Sequence, residues 1–345
     1  MQTGPACVPD VWPLLLAETQ RWRTVRLELT SVKRTPVPFT LVLDVPELEQ
    51  AGLYLPVARC FRNVINLKKT PLHWFADAPK LHCLFLAWPF YPLSVRVVWG
   101  RITHLILELH DSLQECVAVL PHCTALEYLE VSAWEVKWGE RLPVAEVPTL
   151  QTLVLDKDAV VLCCYISTPQ LTRLSFCPNP VLSVERCHAL VMLGRRQSLQ
   201  NLRYLYMRHS LFEWSHIDPV LEHLSGITHL QFVHLPPHRF RGVPPRMCDI
   251  GRLHTLRRIS LHVSEEEWCD NETPRLPEWL AWEIGRLPNL ETLDLWDRPD
   301  PGADPELDEW IEARSERGVE VERRTDLSPS FDKRDDWYSG NIRRP

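Results

Sequence analysis

Nine copies of the pattern L-x-x-L-x-L, in which other apolar residues replace some leucines, run through residues 81–295. Three of the clearest copies read PKLHCLFL, PTLQTLVL and PNLETLDL. Successive copies begin 21 to 34 residues apart. The first apolar positions are Leu81, Ile102, Leu126, Leu150, Leu171, Leu202, Ile227, Leu256 and Leu290. A pattern repeated at this interval predicts an array of similar structural units rather than one conventional core.

The second half of each copy, x-L-x-L-x, is typical of a short β-strand. Alternate side chains of a strand point to opposite faces, so the Leu positions form one buried face. A single unit of this size cannot bury that face alone, whereas parallel stacking of neighbouring units buries it. A period of about 20–29 residues is that of leucine-rich repeats. We therefore expect an α/β leucine-rich-repeat solenoid, with a curved parallel sheet on the concave face and irregular helices and loops on the convex face.

The same alternation makes opposite predictions for two adjacent residues of the copy at 150–155. Leu153 is expected in the core, so an Asp at this position would bury an unpaired charge and unfold the array. Val154 is expected to face outward, so an Asp at this position is expected to be tolerated.

The segments between the strands predict the convex side of the array. Apolar residues at helical spacing indicate helices in the segments 112–123, 183–199, 218–226 and 276–290. Ser183 and Asp218 lie where N-cap residues are expected. The segment between Leu155 and Leu171 is short, and we expect it to form a loop or a single turn.

The segment DVWPLLLAETQRWRTVRLEL, residues 10–29, predicts an N-terminal cap. We expect a helix from about Trp12 to Trp22, followed by a strand. The side chains expected to close the core against the first repeat are Leu15, Leu16, Thr19 and Trp22.

Composition changes after residue 297, where charged residues become frequent. PELDEWIEARSERGVEVERR, residues 305–324, predicts a helix, a stop at Gly318 and a short strand through Val319 and Val321, which would cap the sheet. The residues that follow lack periodicity, which is typical of disorder. The expected divisions are 1–30 (N-terminal helix and capping strand), 31–297 (irregular leucine-rich repeats), 298–324 (C-terminal helix and strand cap) and 325–345 (disordered tail).

Charge and composition argue against several classes of protein. A formal net charge of −7 is opposite in sign to the field of nucleic-acid-binding proteins. No stretch approaches the ~18 apolar residues of a membrane span, and no secretory signal is expected at the N-terminus. The 11 cysteines include no Cys-x-x-Cys pair, and Cys163–Cys164 lies in an apolar run typical of buried, reduced thiols. We therefore expect a cytoplasmic or nuclear monomer that binds neither nucleic acid nor membrane.

Motifs for catalysis or for metal binding are lacking in the sequence. No Gly-rich phosphate loop, Gly-x-Ser-x-Gly elbow or His-Glu-x-x-His helix occurs. The nearest candidates for metal ligands are Cys187–His188 and the pair His234 and His238 in HLPPH, where two prolines disfavour a helical ligand pair. We therefore expect no enzyme activity, no cofactor and no metal site.

The outward positions of the predicted strands are the remaining candidates for function. Between residues 204 and 296 they are rich in Tyr, Arg, His and Trp, and binding hot spots favour Tyr, Trp and Arg. Solenoid proteins usually bind their partners on the concave face. The alternative is that these side chains only solvate the sheet and stack across its strands. The predicted protein-binding residues are Tyr204, Tyr206, Arg208, His229, Gln231, Arg258, His262, Asp294 and Trp296.

Several stretches resemble fungal F-box proteins that carry leucine-rich repeats. LLLAETQRWRTVRLEL resembles the segment that leads from the F-box into the repeats of that family. PKLHCLFL, TALEYLEV, PTLQTLVLD and PQLTRLSF resemble its irregular repeats, and RGVEVE resembles its final strand. The resemblance covers about residues 10–324, and the Arg-Trp-Arg segment is its most specific part.

In that family the F-box binds the adaptor of a cullin-type ubiquitin ligase, and the repeats hold the substrate. The resemblance therefore implies a substrate-recognition domain for ubiquitin-ligase targeting, with the adaptor as a partner if an F-box is missing from this chain. About nine residues precede DVWPLLL, far fewer than an F-box requires, so the adaptor-binding residues of the family are not expected here. The alternative is a leucine-rich-repeat binding or structural protein with no ligase link.

Overall fold

The fold is known from a computed structural model, and it consists of two compact α/β units. The first unit comprises Met1–Leu150 and Tyr165–Thr168, and the second comprises Gln151–Cys164 and Pro169–Pro345. The structure describes residues 11–28, 40–54, 71–87, 91–110, 113–134, 136, 141–177, 183–196, 199–208, 220–233, 253–262, 284–296 and 305–324.

The first unit contains a sheet whose strands pair in parallel and in chain order. These strands are β1 (Thr24–Glu28), β2 (Gln50–Tyr54), β3 (Cys83–Ala87), β4 (His104–His110) and β5 (Tyr128–Trp134). Two short strands, β6 (Ala145–Glu146) and β8 (Ile166–Ser167), form a separate parallel pair. The helices are α1 (Val11–Ala17), before β1, and α2 (Gln114–Val119), between β4 and β5.

The second unit repeats this arrangement with a parallel sheet that is also in chain order. Its strands are β7 (Thr152–Lys157), β9 (Arg173–Cys177), β10 (Tyr204–Arg208), β11 (His229–Val233), β12 (Arg258–His262), β13 (Thr292–Trp296) and β14 (Glu320–Arg324). α3 (Ser183–Arg196) lies between β9 and β10, and α4 (Pro305–Ser315) lies between β13 and β14.

The strand register places the second apolar residue of each pattern in one buried column. In the second unit this column is Leu153, Leu174, Leu205, Leu230, Ile259 and Leu293. All six are buried, and each such side chain stabilises the fold by about 1.5–3 kcal/mol relative to an exposed one. Each of the nine copies of the pattern forms a strand, as predicted, and the degenerate copy near the N-terminus forms β1.

The strand β2 was not predicted, although its sequence follows the pattern. Leu48, Ala51 and Leu53 take the three apolar positions, and all three are completely buried. Ala at the second position concealed this copy, because the search was for large apolar residues. The other weak candidate, FRNVINL at 61–67, lies outside the described residues.

Neighbouring repeats are fastened by side chains directly before the first apolar residue of the pattern. Thr149 donates a hydrogen bond to Leu126 O at 2.8 Å, and Thr255 donates to Ile227 O at 2.7 Å. Asn289 takes the same place and donates from Nδ2 to His254 O at 2.6 Å, as Asn201 does to Pro169 O at 3.0 Å. These bonds satisfy backbone carbonyls between repeats, the role that a conserved Asn usually has in a regular leucine-rich repeat.

The connections agree with the predicted helices where the structure describes them. α2 and α3 lie within two of the four predicted helical segments, and residues 220–221 are helical in the third. The segment after β7 differs from the prediction of a loop or single turn. It forms a 3-10 helix from Asp158 to Cys164, of which six of seven residues are buried. Its apolar residues, including Val160 and Leu162, give it a packing role.

The two ends of the described chain form the expected elements. α1 ends at Ala17 and a 3-10 turn, Thr19–Arg21, leads to β1. The predicted contact of Leu15 with the first repeat is wrong, since this side chain is exposed, whereas Thr19 is buried as expected. α4 is followed by Gly318 with φ of +84°, a conformation that favours glycine after a helix. Residues 325–345, predicted to be disordered, lie outside the described part.

The outward face of the sheet in the second unit is only partly open to water. Val154 lies opposite to Leu153 in the alternation of β7, yet it is 4% exposed. The prediction that Val154→Asp is tolerated is therefore not supported, because the substitution would bury a charge. Parallel strands about 4.8 Å apart bring neighbouring outward side chains into contact, so facing outward does not amount to exposure.

Candidate functional site

A row of polar and aromatic side chains crosses the outward face of the second unit. It consists of the first outward residue of each strand, which the parallel register places side by side. The members are Thr152, Arg173, Tyr204, His229, Arg258, Thr292 and Glu320. We call the four central residues, Arg173, Tyr204, His229 and Arg258, the aromatic row. None of these four is buried, so the row is accessible to a ligand.

The aromatic row is held by ring contacts. The Arg173 guanidinium lies over the Tyr204 ring, 4.9 Å from its centroid. Tyr204 in turn stacks on His229, with the ring centroids 4.4 Å apart and the planes inclined by 29°. An exposed cation–π contact contributes about 0.5–1 kcal/mol, and an aromatic pair about 0.5–1.5 kcal/mol beyond its buried area. These side chains are therefore ordered before any ligand binds.

Hydrogen bonds define the orientation and the tautomer of His229. The Thr228 hydroxyl donates to Arg203 O at 3.1 Å and lies 2.8 Å from His229 Nδ1. Because the hydroxyl hydrogen is used, we assign Nδ1–H as the donor to Thr228 Oγ1. Burial, followed by the charge of the neighbouring Arg258, lowers the pKa of His229 from its ordinary value. The neutral ring therefore presents Nε2 as an acceptor.

At the other end of the row, Arg258 is fixed by an almost completely buried carboxylate. Arg258 Nε donates to Asp294 Oδ2 at 2.7 Å, and Nη2 donates to Asp294 Oδ1 at 2.9 Å. The Ser260 hydroxyl also donates to Asp294 Oδ2, at 2.6 Å. Asp294 is 2% exposed. Glu322 lies 3.9 Å from Arg258 Nη2, and both acids help to raise the pKa of Arg258.

The structure brings together four of the nine predicted binding residues and separates their roles. Tyr204, His229 and Arg258 belong to the aromatic row, whereas Asp294 is too deeply buried to touch a ligand and instead positions Arg258. Tyr206 is buried at the second outward position of β10. Gln231 is half-buried at the second outward position of β11. Arg208, His262 and Trp296 lie at the third outward position of their strands, and their side chains lie outside the described part.

Sequence reasoning missed two contributors to the site. Arg173 stands in PQLTRLSF at the same position as Tyr204 in its own copy, and Ser260 stands two residues after Arg258. Alignment of all copies by the residue before the second Leu would have found Arg173. The role of Ser260 depends on a contact with Asp294 in the next strand, which the sequence of one repeat does not reveal.

The first unit has a similar stack that is less accessible. His104 and Tyr128 are adjacent in β4 and β5, with ring centroids 5.6 Å apart. The Tyr128 hydroxyl donates to Glu130 Oε2 at 2.8 Å, and Glu130 is completely buried. Thr103 lies 2.9 Å from His104 Nδ1, as Thr228 does from His229. Because Tyr128 is itself buried, this stack serves the fold, and the stack of the second unit is the better binding candidate.

An open groove of about 700 Å³ runs beside the aromatic row, along the start of β10 to β13. Arg203 lies in it and donates from Nη1 to Gln200 O at 2.5 Å and Gly226 O at 2.8 Å. A Cβ on Gly226 would collide with Gln200 O and with the Arg203 guanidinium, so glycine is required here. Arg257, which also lines the groove, forms an exposed ion pair with Glu291 at 2.9 Å.

The described cysteines and acids provide no evident catalytic group. Cys163 is buried and free as predicted, and Cys164 is half-buried. Burial raises the pKa of Cys123 to about 12 and also raises the pKa of Cys163, so the nucleophilic thiolate is disfavoured. Among the described residues no three His, Cys, Asp or Glu side chains are grouped to hold a metal ion. The candidates His234 and His238 lie outside those residues.

Comparison with known proteins adds little to this description. No model of a known protein family matches the sequence, and no curated protein matches it. A crystal structure of a protein from Bacteroides fragilis aligns over 83% of this chain and 68% of that protein, with 11% sequence identity and a TM-score of 0.36. A likeness this weak carries no argument. Within the described part of the chain, no helix combines the length and the apolar character needed to cross a membrane.

Proposed function

We propose that the chain is a non-enzymatic leucine-rich-repeat scaffold that binds a protein ligand on the outward, concave face of its parallel sheet. The observation that carries the proposal is the aromatic row, in which Arg173, Tyr204 and His229 are stacked, ordered and accessible. Tyr and Arg dominate binding hot spots because they offer large contact areas at low entropic cost. A pre-ordered row lowers the cost of binding further.

The repeat assignment is supported by the chain order of the parallel strands and by the register of their apolar residues. Leu205, Leu230 and Ile259 lie side by side in successive strands, each from its own copy of the pattern. Each repeat contributes one strand and contacts its neighbours, which is the organisation of a solenoid. The intracellular location proposed for the protein, cytoplasm or nucleus, is tested by fluorescence microscopy of the tagged chain in its own cells.

The binding proposal is tested by comparing the partners of the intact row with those of a disrupted row. The tagged chain and its Tyr204→Ala/His229→Ala variant are purified from lysate of the source organism, and co-purifying proteins are quantified by mass spectrometry. We expect at least one abundant partner of the wild type to fall tenfold or more with the variant. The variant removes exposed rings and leaves the Leu column intact, so circular dichroism is expected to show an unchanged fold.

The matched control is His122→Ala/Trp134→Ala, which removes an imidazole and an aromatic ring that are exposed in the first unit. This control is expected to retain the partner. A partner that survives loss of the row, or that depends equally on the control residues, would place the binding surface elsewhere on the chain.

The proposal extends to ubiquitin-ligase targeting through the resemblance of residues 10–324 to F-box repeat proteins. On this account the repeats select a substrate, and a ligase adaptor joins them with or without further chain. Co-purification of a cullin and its adaptor with the tagged chain supports this extension. Their absence from a purification that does recover a partner of the aromatic row favours the alternative, a binding or structural repeat protein without a ligase link.

A further inference from the structure

Two arginines beside Tyr204 lack a carboxylate partner among the described residues. Arg173 is exposed and its contact is with the Tyr204 ring. Arg203 is also exposed, and its hydrogen bonds go to two backbone carbonyls, Gln200 O and Gly226 O. Neither contact neutralises a positive charge. The two cations therefore form a local positive patch around Tyr204, on a chain whose net charge is −7.

The arginines two strands away are different. Arg258 is neutralised by the buried Asp294, with Glu322 nearby, and Arg257 is neutralised by Glu291. The surface therefore changes character along the row. At β9 and β10 the arginine charge is uncompensated, and at β12 and β13 it is balanced within the protein. Uncompensated charge attracts a ligand of opposite sign, and such attraction governs both specificity and association rate.

The positions of the two arginines are set by the fold. Arg173 rests on the Tyr204 ring, and Arg203 is held across the groove because Gly226 leaves room for its guanidinium. Arg203 precedes Tyr204 directly in the chain. A guanidinium held in place loses less entropy when it binds a carboxylate, and its planar fork suits a bidentate pair.

We propose that the protein ligand of the aromatic row is an acidic segment, whose Asp or Glu carboxylates pair with Arg173 and Arg203 while the segment lies over Tyr204 and His229. This inference rests on the proposed function and specifies the chemistry of the partner. The charge of the patch is complementary to that of the segment, and the groove beside β10 provides space for it.

The test is a selection of random 12-residue peptides displayed on phage against the full-length chain. Peptides that lose binding to the Tyr204→Ala variant are taken as ligands of the row, sequenced and measured by fluorescence anisotropy. We expect these peptides to be enriched in Asp and Glu. We expect Arg173→Glu and Arg203→Glu each to weaken their binding at least tenfold, Arg173→Lys to change it less than threefold, and added salt to weaken wild-type binding.

The matched control is Arg101→Glu, since Arg101 is an exposed arginine of the first unit that likewise donates to a carbonyl, Pro79 O at 2.9 Å. It changes the net charge equally and is expected to leave peptide binding unaltered. Circular dichroism of each variant checks the fold, and Arg173→Lys supplies a second check because it retains the charge.

The outcomes separate this inference from the proposed function. Row-dependent peptides without Asp and Glu enrichment, or with enrichment in Lys and Arg, would overturn the acidic segment and leave the binding face standing. A pool of phosphopeptides that binds over tenfold more tightly than the acidic peptides would overturn the carboxylate in favour of phosphate. If no selected peptide depends on Tyr204, both proposals are overturned.

Discussion

Arg258 and Asp294 form a two-pronged ion pair between adjacent strands, with Nε–Oδ2 at 2.7 Å and Nη2–Oδ1 at 2.9 Å. The carboxylate is buried and the guanidinium is about one-third exposed. Asp294 has no route to water if its partner is removed, apart from the hydrogen bond that Ser260 donates. The pair therefore holds the end of the aromatic row in place, and its removal exposes the cost of a buried charge.

Arg258→Met is expected to destabilise the protein by about 2–3 kcal/mol. Removal of one partner from a fully buried pair costs about 3–5 kcal/mol, and partial exposure of Arg258 reduces that cost. Urea denaturation followed by circular dichroism measures the change. Arg258→Met combined with Asp294→Leu is expected to recover most of the loss, because no unpaired charge remains.

The neighbouring pair of Arg257 and Glu291 is the control, since both side chains are well exposed. Arg257→Met is expected to cost less than about 1 kcal/mol. Equal losses for Arg257→Met and Arg258→Met would mean that burial of Asp294 does not decide the stability of this part of the sheet.

Adjacent substitutions in β7 test the burial of both faces of the strand. Leu153→Asp is expected to cost about 4 kcal/mol or more and to unfold the second unit, and Val154→Asp about 2–4 kcal/mol, because both side chains are buried. Thr152→Asp, at a half-buried position of the same strand, is expected to cost less than either. Thermal unfolding measures all three. A fully tolerated Val154→Asp would show that the outward face is open at this point.

The example of β7 shows how far the sequence alone leads. The pattern L-x-x-L-x-L predicts the strands, their order and the inward Leu column, because the period of two is a local property. It does not predict the burial of Val154 or Asp294, because this depends on side chains from other strands. For the same reason, Arg258 could be identified as an outward residue, but its pairing with a residue 36 positions later could not.

Thr255 tests the bonds that fasten one repeat to the next. Its hydroxyl lies 2.7 Å from Ile227 O and 2.9 Å from Ser225 O. Thr255→Val keeps the shape and removes the donor, and is expected to cost about 0.5–1.5 kcal/mol. Thr255→Ser keeps the hydroxyl and should stay within about 0.5 kcal/mol of wild type in the same urea titration. Equal stability of the Val variant and the wild type would contradict this role.

His229 gives the stability a dependence on pH. Burial, then Arg258, lowers the pKa of His229 from 6.5, and Arg173 adds to this, while Asp294 and Glu291 act in the opposite direction. Above pH 6.5 the ring is neutral in both the folded and the unfolded states, and its contribution to stability is fully present. As the pH falls below 6.5 the unfolded chain takes up the proton first, so the folded state loses stability.

The free energy of unfolding of the wild type is therefore expected to fall more steeply between pH 7 and pH 5 than that of His229→Gln. The comparison cancels the titration of carboxylates that both proteins share. His254→Gln, an exposed histidine beside the groove, serves as the control and should follow the wild type. Parallel curves for the wild type and His229→Gln would contradict the lowered pKa of His229.

The functional account is less determined by sequence than the fold. The abundance of Tyr, Arg and His at outward positions indicated the surface, but three features of the site come from the register. These are the stack of Tyr204 on His229, the cation of Arg173 above it, and the neutralised state of Arg258. Each joins residues from different repeats, at separations that vary from one pair to the next.

The most direct test of the binding face is photo-crosslinking from within the aromatic row. A photo-crosslinking phenylalanine analogue is placed at Tyr204, where it replaces one ring by another, and separately at Ala313, an exposed residue of α4. After irradiation in living cells, crosslinked products are identified by mass spectrometry. The account predicts a discrete adduct from position 204 that joins an acidic segment of another protein, with none of that adduct from position 313. The same adduct from both positions, or crosslinks from position 313 alone, would contradict it.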